Sequence, residues 1–128
     1  MRLAAFALLL ICLTVVPGHA EKRVALVIGN SNYQHAGRLG NPANDAEAVA
    51  ALLKASGFDV IERRSDVGIA AMRRAIGDFS DIATDADIAI VYYAGHGIEV
   101  DGINYLIPTD ARLARDFDVE DETLSPSR

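Results

Sequence analysis

The chain has one cysteine, Cys12, and it lies in an apolar segment at the N-terminus. No disulfide can form within the chain, so packing alone has to stabilise it, whatever the redox state of its compartment. Positive charge is scarce as well. Twelve Lys and Arg stand against 18 Asp and Glu, a formal net charge of −6. That balance argues against a nucleic-acid partner and favours basic ones. Internal repeats and composition-biased tracts are absent. So are the phosphate-binding signatures: Gly29-Asn30-Ser31-Asn32-Tyr33 follows an apolar run but has neither the Gly-x-Gly-x-x-Gly spacing nor a P-loop lysine. A nucleotide-binding α/β domain is set aside on that ground.

What is present begins with a targeting pattern. Met1-Arg2 is a positive start, Leu3 to Val16 is uncharged and apolar, and Pro17-Gly18-His19-Ala20 puts small residues at the −3 and −1 positions of a cleavage site. The run is too short to favour a membrane span. Met1 to Ala20 is therefore expected to be a signal peptide, and the protein secreted or periplasmic, with no stable membrane insertion after cleavage. Removal of Arg2 takes the formal charge from −6 to −7. It also removes Cys12. The remainder, residues 22–128, is long enough for one domain with a single core.

Arg23 to Gly29 is a continuous apolar run ended by glycine, the pattern of a buried parallel strand. Pro42 at a first helical position predicts a helix running to about Ser56, with Ala46, Val49, Leu52 and Leu53 facing inward. Phe58 to Glu62 reads as a second strand. Asp66 is expected to cap a second helix, whose apolar positions Ile69, Met72, Ile76, Phe79 and Ala83 recur at three and four residues. Ile88 to Ala94 is expected to be a third strand, buried on both faces. Ile98 to Val100 and Ile103 to Ile107 alternate around Asp101-Gly102, a strong hairpin signal. The acidic run Asp116, Asp118, Glu120, Asp121 and Glu122 is read as a solvated face rather than a metal site. Strand and helix alternation gives an α/β fold with right-handed crossovers and a mostly parallel sheet.

One histidine stands out. Tyr92-Tyr93-Ala94-Gly95-His96-Gly97 ends an apolar strand in a histidine held between glycines. Strand ends at the rim of a parallel sheet are where open α/β folds place their sites. Glycines there let backbone approach a ligand and leave N–H groups free as donors. His96 is so placed to act as a general base. By contrast, His35 reads as a solvated loop residue, and Tyr92 and Tyr93 as a core and a sheet-covering residue.

Four segments, in order, resemble the caspase-like cysteine peptidases, in particular the bacterial relatives close to metacaspases. They are Val24-Ala25-Leu26-Val27-Ile28-Gly29-Asn30-Ser31-Asn32-Tyr33, Leu39-Gly40-Asn41-Pro42-Ala43-Asn44-Asp45-Ala46, Tyr93-Ala94-Gly95-His96-Gly97 and Asn104-Tyr105-Leu106-Ile107-Pro108-Thr109-Asp110. The resemblance implies a three-layer caspase-like sandwich of the p20 type, with a small antiparallel hairpin, incomplete at the C-terminus. It implies His96 as the catalytic histidine and Gly97 as the residue whose backbone N–H supplies half of the oxyanion hole. Asp45 matches the acidic residue that lines the primary specificity pocket and selects Arg or Lys, so a peptide or protein substrate with a basic P1 residue is implied. Ala94 departs from the serine that metacaspases carry at that place. No cofactor is expected.

A larger departure concerns the nucleophile. The caspase cysteine lies about 50 residues beyond the histidine, and counting on from His96 passes Arg128. The chain is therefore expected to be truncated or one part of a split protein, inactive on peptide bonds unless a complementing C-terminal segment is supplied. The alternative is a non-catalytic, peptide-binding pseudopeptidase module.

Overall fold

The structure, a computed structural model, describes residues 20–115 and 118–127. The expected signal peptide therefore lies, apart from Ala20, outside the described residues. In chain order the elements are β1 (Arg23–Gly29), α1 (Pro42–Ala55), β2 (Val60–Ser65), α2 (Ile69–Ala83), β3 (Ile88–Ala94), β4 (Gly97–Val100), β5 (Ile103–Leu106) and α3 (Asp118–Glu122).

β1 is the central strand of a parallel sheet of order β2-β1-β3. Its run Val24 to Ile28 is almost completely buried, which explains why it lacks alternation. Alternate side chains meet opposite layers. Val24, Leu26 and Ile28 pack with Met72, Ala75 and Phe79 of α2, and Val27 packs with Ala46 and Ala50 of α1. One helix therefore covers each face, and the fold is the expected α/β sandwich.

β4 and β5 form a separate antiparallel hairpin, with Gly97 opposite Leu106 and Val100 opposite Ile103. Its two-residue turn is Asp101 at φ 51° and Gly102 at φ 78°, the left-handed pair that a type I′ turn requires.

The structure corrects several expectations. Leu52 of α1 is 64% exposed, and Ala50 is buried in its place, because the helix turns a narrower stripe toward β1. Asp66 does not cap α2. The N-cap is Gly68, and the side chain of Asp110 accepts the Ile69 N–H at 2.9 Å instead. Asp116 of the acidic run lies outside the described residues, and the rest of the run is only partly a solvated face. Asp118 is buried and bound to Arg115, Glu122 accepts the N–H groups of Arg112 and Leu113, and Leu124 bridges to Leu106.

Another correction concerns β3. Its first four residues are exposed rather than buried on both faces, with Val91 at 49%. Among the described residues only β1 pairs with β3, so the strand is a sheet edge. The opposite edge, β2, carries Glu62, Arg63 and Arg64, charges of the kind that blunt an edge. β3 has none.

Candidate active site

The C-terminal ends of β1 and β3 lie side by side. Gly29 is opposite Ala94, and the Asn30 N–H donates to the Ala94 carbonyl at 2.8 Å. From this rim the chain leaves twice, as the loop from Asn30 to Asn41 and as Gly95-His96. His96 lies at this rim, where open parallel sheets place their sites.

His96 is half-buried, and its Nε2 lies 2.7 Å from the Gly37 carbonyl oxygen. A carbonyl only accepts, so the neutral ring carries its proton on Nε2 and leaves Nδ1 as the basic nitrogen. The Tyr33 ring meets the imidazole edge-on, with centroids 4.5 Å apart and planes at 62°. The His96 N–H donates to the Tyr33 hydroxyl at 2.8 Å. Its carbonyl accepts from the Tyr93 hydroxyl at 2.6 Å and from the Ile107 N–H at 3.1 Å. The two hydroxyls are themselves 3.0 Å apart. Burial, first, and the Tyr33 hydroxyl, second, push the Tyr93 hydroxyl well above its ordinary pKa, so it remains a donor.

Gly95 lies against this pair. A Cβ there would sit 2.5 Å from each of the two hydroxyls. The glycine therefore serves close packing within the protein rather than the approach of a ligand.

Gly97 opens β4. The bond from Ile107 N–H to His96 carbonyl brackets Gly97 and Leu106 as a non-hydrogen-bonded pair of the hairpin. The Gly97 N–H therefore points away from β5. Leu106 uses its own outward groups on Leu124, at 2.8 and 3.1 Å. Asp45 is exposed in the first turn of α1. No hydrogen bond or ion pair joins its carboxylate to any described residue, His96 and Gly97 included.

The loop that carries Tyr33 and Gly37 is tied down at its start. Asn30 is fully buried and pairs with the Val67 backbone, its Oδ1 accepting the N–H at 2.9 Å. The Asp66 carboxylate accepts the N–H groups of Ser31 and Asn32 at 2.8 and 2.9 Å and the Asn32 side-chain amide at 2.8 Å. The Asn32 N–H, above all, holds the Asp66 carboxyl below its ordinary pKa; burial opposes this, and Ser31 and the Arg38 charge assist. His35 is exposed in the same loop, as expected. Among the described residues no group of three His, Cys, Asp or Glu is arranged to hold a metal ion.

Tyr33, Tyr93, Gly37 and Asp66 were not read from the sequence as site residues. For the tyrosines a signal existed, since a buried phenol needs a polar partner. For Gly37 and Asp66 none did, because one acts through its backbone and the other across 34 residues of chain.

Asp66→Ala is expected to cost about 1 kcal/mol at neutral pH, modest because the carboxylate is largely exposed. A carboxyl whose folded pKa is depressed contributes fully above its unfolded value and loses that contribution as pH falls through the folded one. The gap in Tm between the parent and Asp66→Ala should therefore be full at pH 7 and close below the ordinary Asp range. Thermal denaturation as a function of pH checks it.

The sequence has relatives among known proteins. The caspase-domain family model matches residues 22–125. The human mucosa-associated lymphoid tissue lymphoma translocation protein 1 is 35% identical over 92 residues, and its mouse homologue is 33% identical over 92. Each match covers 72% of this chain and 11% of the relative, so the chain spans about a tenth of the length of the curated relatives it matches. The chain belongs to the caspase-domain family, and the described fold is a caspase-like peptidase domain with its histidine at the rim of the sheet.

Proposed function

We propose that this chain is the histidine-bearing part of a caspase-like cysteine endopeptidase that cleaves peptide bonds after Arg or Lys. His96 is the general base and acid, and the Gly97 N–H is one donor to the oxyanion. The observation that carries this reading is the His96 ring itself. Its Nε2 is occupied by the Gly37 carbonyl, which leaves Nδ1 to exchange a proton with a thiol and then with the leaving amine. Asp45 takes the P1 residue; its exposed carboxylate has no partner among the described residues.

The thiol comes from a complementing C-terminal segment that pairs along β3, a sheet edge whose first four, apolar residues are exposed. The chain by itself is then inactive on peptide bonds, since its one cysteine is Cys12. The purified chain is expected to show no turnover on Arg- or Lys-terminated reporter peptides. Fusion of a caspase-domain segment carrying the missing strand and cysteine should restore it. Turnover by the unfused chain that His96→Ala abolishes would overturn this assignment. If the fused protein stays inactive but binds Arg peptides through Asp45, the reading as a peptide-binding pseudopeptidase replaces it.

The domain acts outside the cytoplasm. The order of charge, apolar run and small residues in Met1 to Ala20 supports export and cleavage after Ala20. Mass spectrometry of the exported protein is expected to give a mature chain that begins at Glu21. An intact Met1 on a cytoplasmic protein would refute the proposal.

A further inference from the structure

We propose that Tyr33 and Tyr93 are positioning residues that hold the His96 peptide unit and ring in place. The inference rests on the reading of His96 as the catalytic base and adds the groups that orient it. The two phenols come from distant segments, Tyr33 from the loop after β1 and Tyr93 from β3, and their hydroxyls bond at 3.0 Å across 60 residues of chain.

Their division of labour follows from the donors and acceptors. Each phenol has one proton. Tyr93 is 2.6 Å from the His96 carbonyl and 2.9 Å from the Ile107 carbonyl. Tyr33 accepts the His96 N–H at 2.8 Å, so its own proton is free for the Ile107 carbonyl at 3.1 Å or for Tyr93. One phenol thus takes the N–H of His96 and the other its carbonyl. Ile107 lies beside both, which ties the hairpin to the same point.

Tyr33 does a second thing. Its ring packs edge-on against the imidazole, while the Gly37 carbonyl, four residues further along the same loop, fixes Nε2. Both orienting groups belong to the loop that Asp66 and Asn30 tie down. The imidazole is therefore oriented by one rigid loop, and its backbone by two hydroxyls. Gly95 is the space those hydroxyls need.

The test uses the chain as it exists and the fused enzyme in parallel. In the chain, Tyr33→Phe keeps the ring and deletes the hydroxyl. Hydrogen exchange at the His96 amide is expected to accelerate about tenfold, the value of one lost hydrogen bond. The imidazole Nε2–H resonance should persist in Tyr33→Phe and vanish in Tyr33→Leu, which removes the ring as well. A residue that merely stabilised the fold would lower Tm without this graded response at His96. In the fused enzyme, Tyr33→Phe and Tyr93→Phe should lower kcat by roughly ten- to a hundredfold through misplacement of the base, with KM unchanged. Unaltered His96 exchange and an unaltered Nε2–H signal in both Tyr33 variants would overturn the inference, even with His96 catalytic. Full turnover in fused His96→Ala would instead overturn the reading beneath it.

Discussion

Replacement of His96 by Ala in the fused enzyme is expected to lower kcat on an Arg reporter peptide by about 10²–10⁴-fold, the usual contribution of a positioned general acid–base. The domain should remain folded. Among the described residues the imidazole makes one hydrogen bond, to Gly37, and one ring contact, to Tyr33, while the backbone bonds of residue 96 survive the substitution. Asp45→Ala should act differently. It is expected to lower kcat/KM for Arg and Lys substrates by about tenfold and to leave substrates with a neutral P1 residue unaffected. A deeply buried carboxylate would be worth more, but this one is exposed in the free domain, so its pairing is partly screened. Equal cleavage of Arg substrates by parent and Asp45→Ala would remove the pocket assignment and leave that of His96 standing. Turnover unaffected by His96→Ala would remove the catalytic reading altogether.

Gly95→Ala is expected to damage the domain and its site together. The added carbon would fall 2.5 Å from the hydroxyls of both Tyr33 and Tyr93. Those hydroxyls are the far ends of side chains, yet neither is free to swing, because each is bonded to backbone at His96 and Ile107. Relief of the clash therefore breaks the bonds that hold residue 96. Overpacking of this kind costs about 1–3 kcal/mol, and turnover of the fused enzyme should fall with it. Gly40→Ala is the control, since a Cβ there meets nothing within 4 Å. Thermal unfolding and hydrogen exchange of the two variants provide the comparison. Equal Tm values and equal His96 protection would show that the phenols yield without consequence.

How much of this was legible in the sequence depends on how local the signal is. β1, α1, α2, β3 and the hairpin follow from periodicity, Pro42 and Asp101-Gly102, because each is set by neighbours within a few residues. β2 was shifted, starting at Val60 rather than Phe58 and running on to Ser65. Its charged second half, Glu62 to Ser65, lies on an edge and does not read as a strand. Asp66 was misassigned because a carboxylate before a helix has the same local signature as a cap, and only the fold reveals that its partners are Ser31 and Asn32. His96 was legible because a strand, a histidine and two glycines sit together in the chain. Its supports were not, since Tyr33 and Gly37 reach it from some 60 residues away.

The central place of β1 also governs how the chain acquires its structure. Neither neighbour of β1 is local: the Arg23 amide meets Asp59 across 36 residues, and the Lys22 amide meets Asp87 across 65. No hairpin can seed this sheet. Each pairing must close a loop that contains a helix, and loop-closure entropy is lost before any ladder bond is gained. The most apolar segment of the domain, Val24 to Ile28, consequently waits for both crossovers before it is covered. Of the two closures, that of the first strand on the third spans the longer stretch of chain and loses the more loop entropy, so a chaperone or a covalently attached neighbour that favoured it would shorten the interval in which the apolar strand stands uncovered.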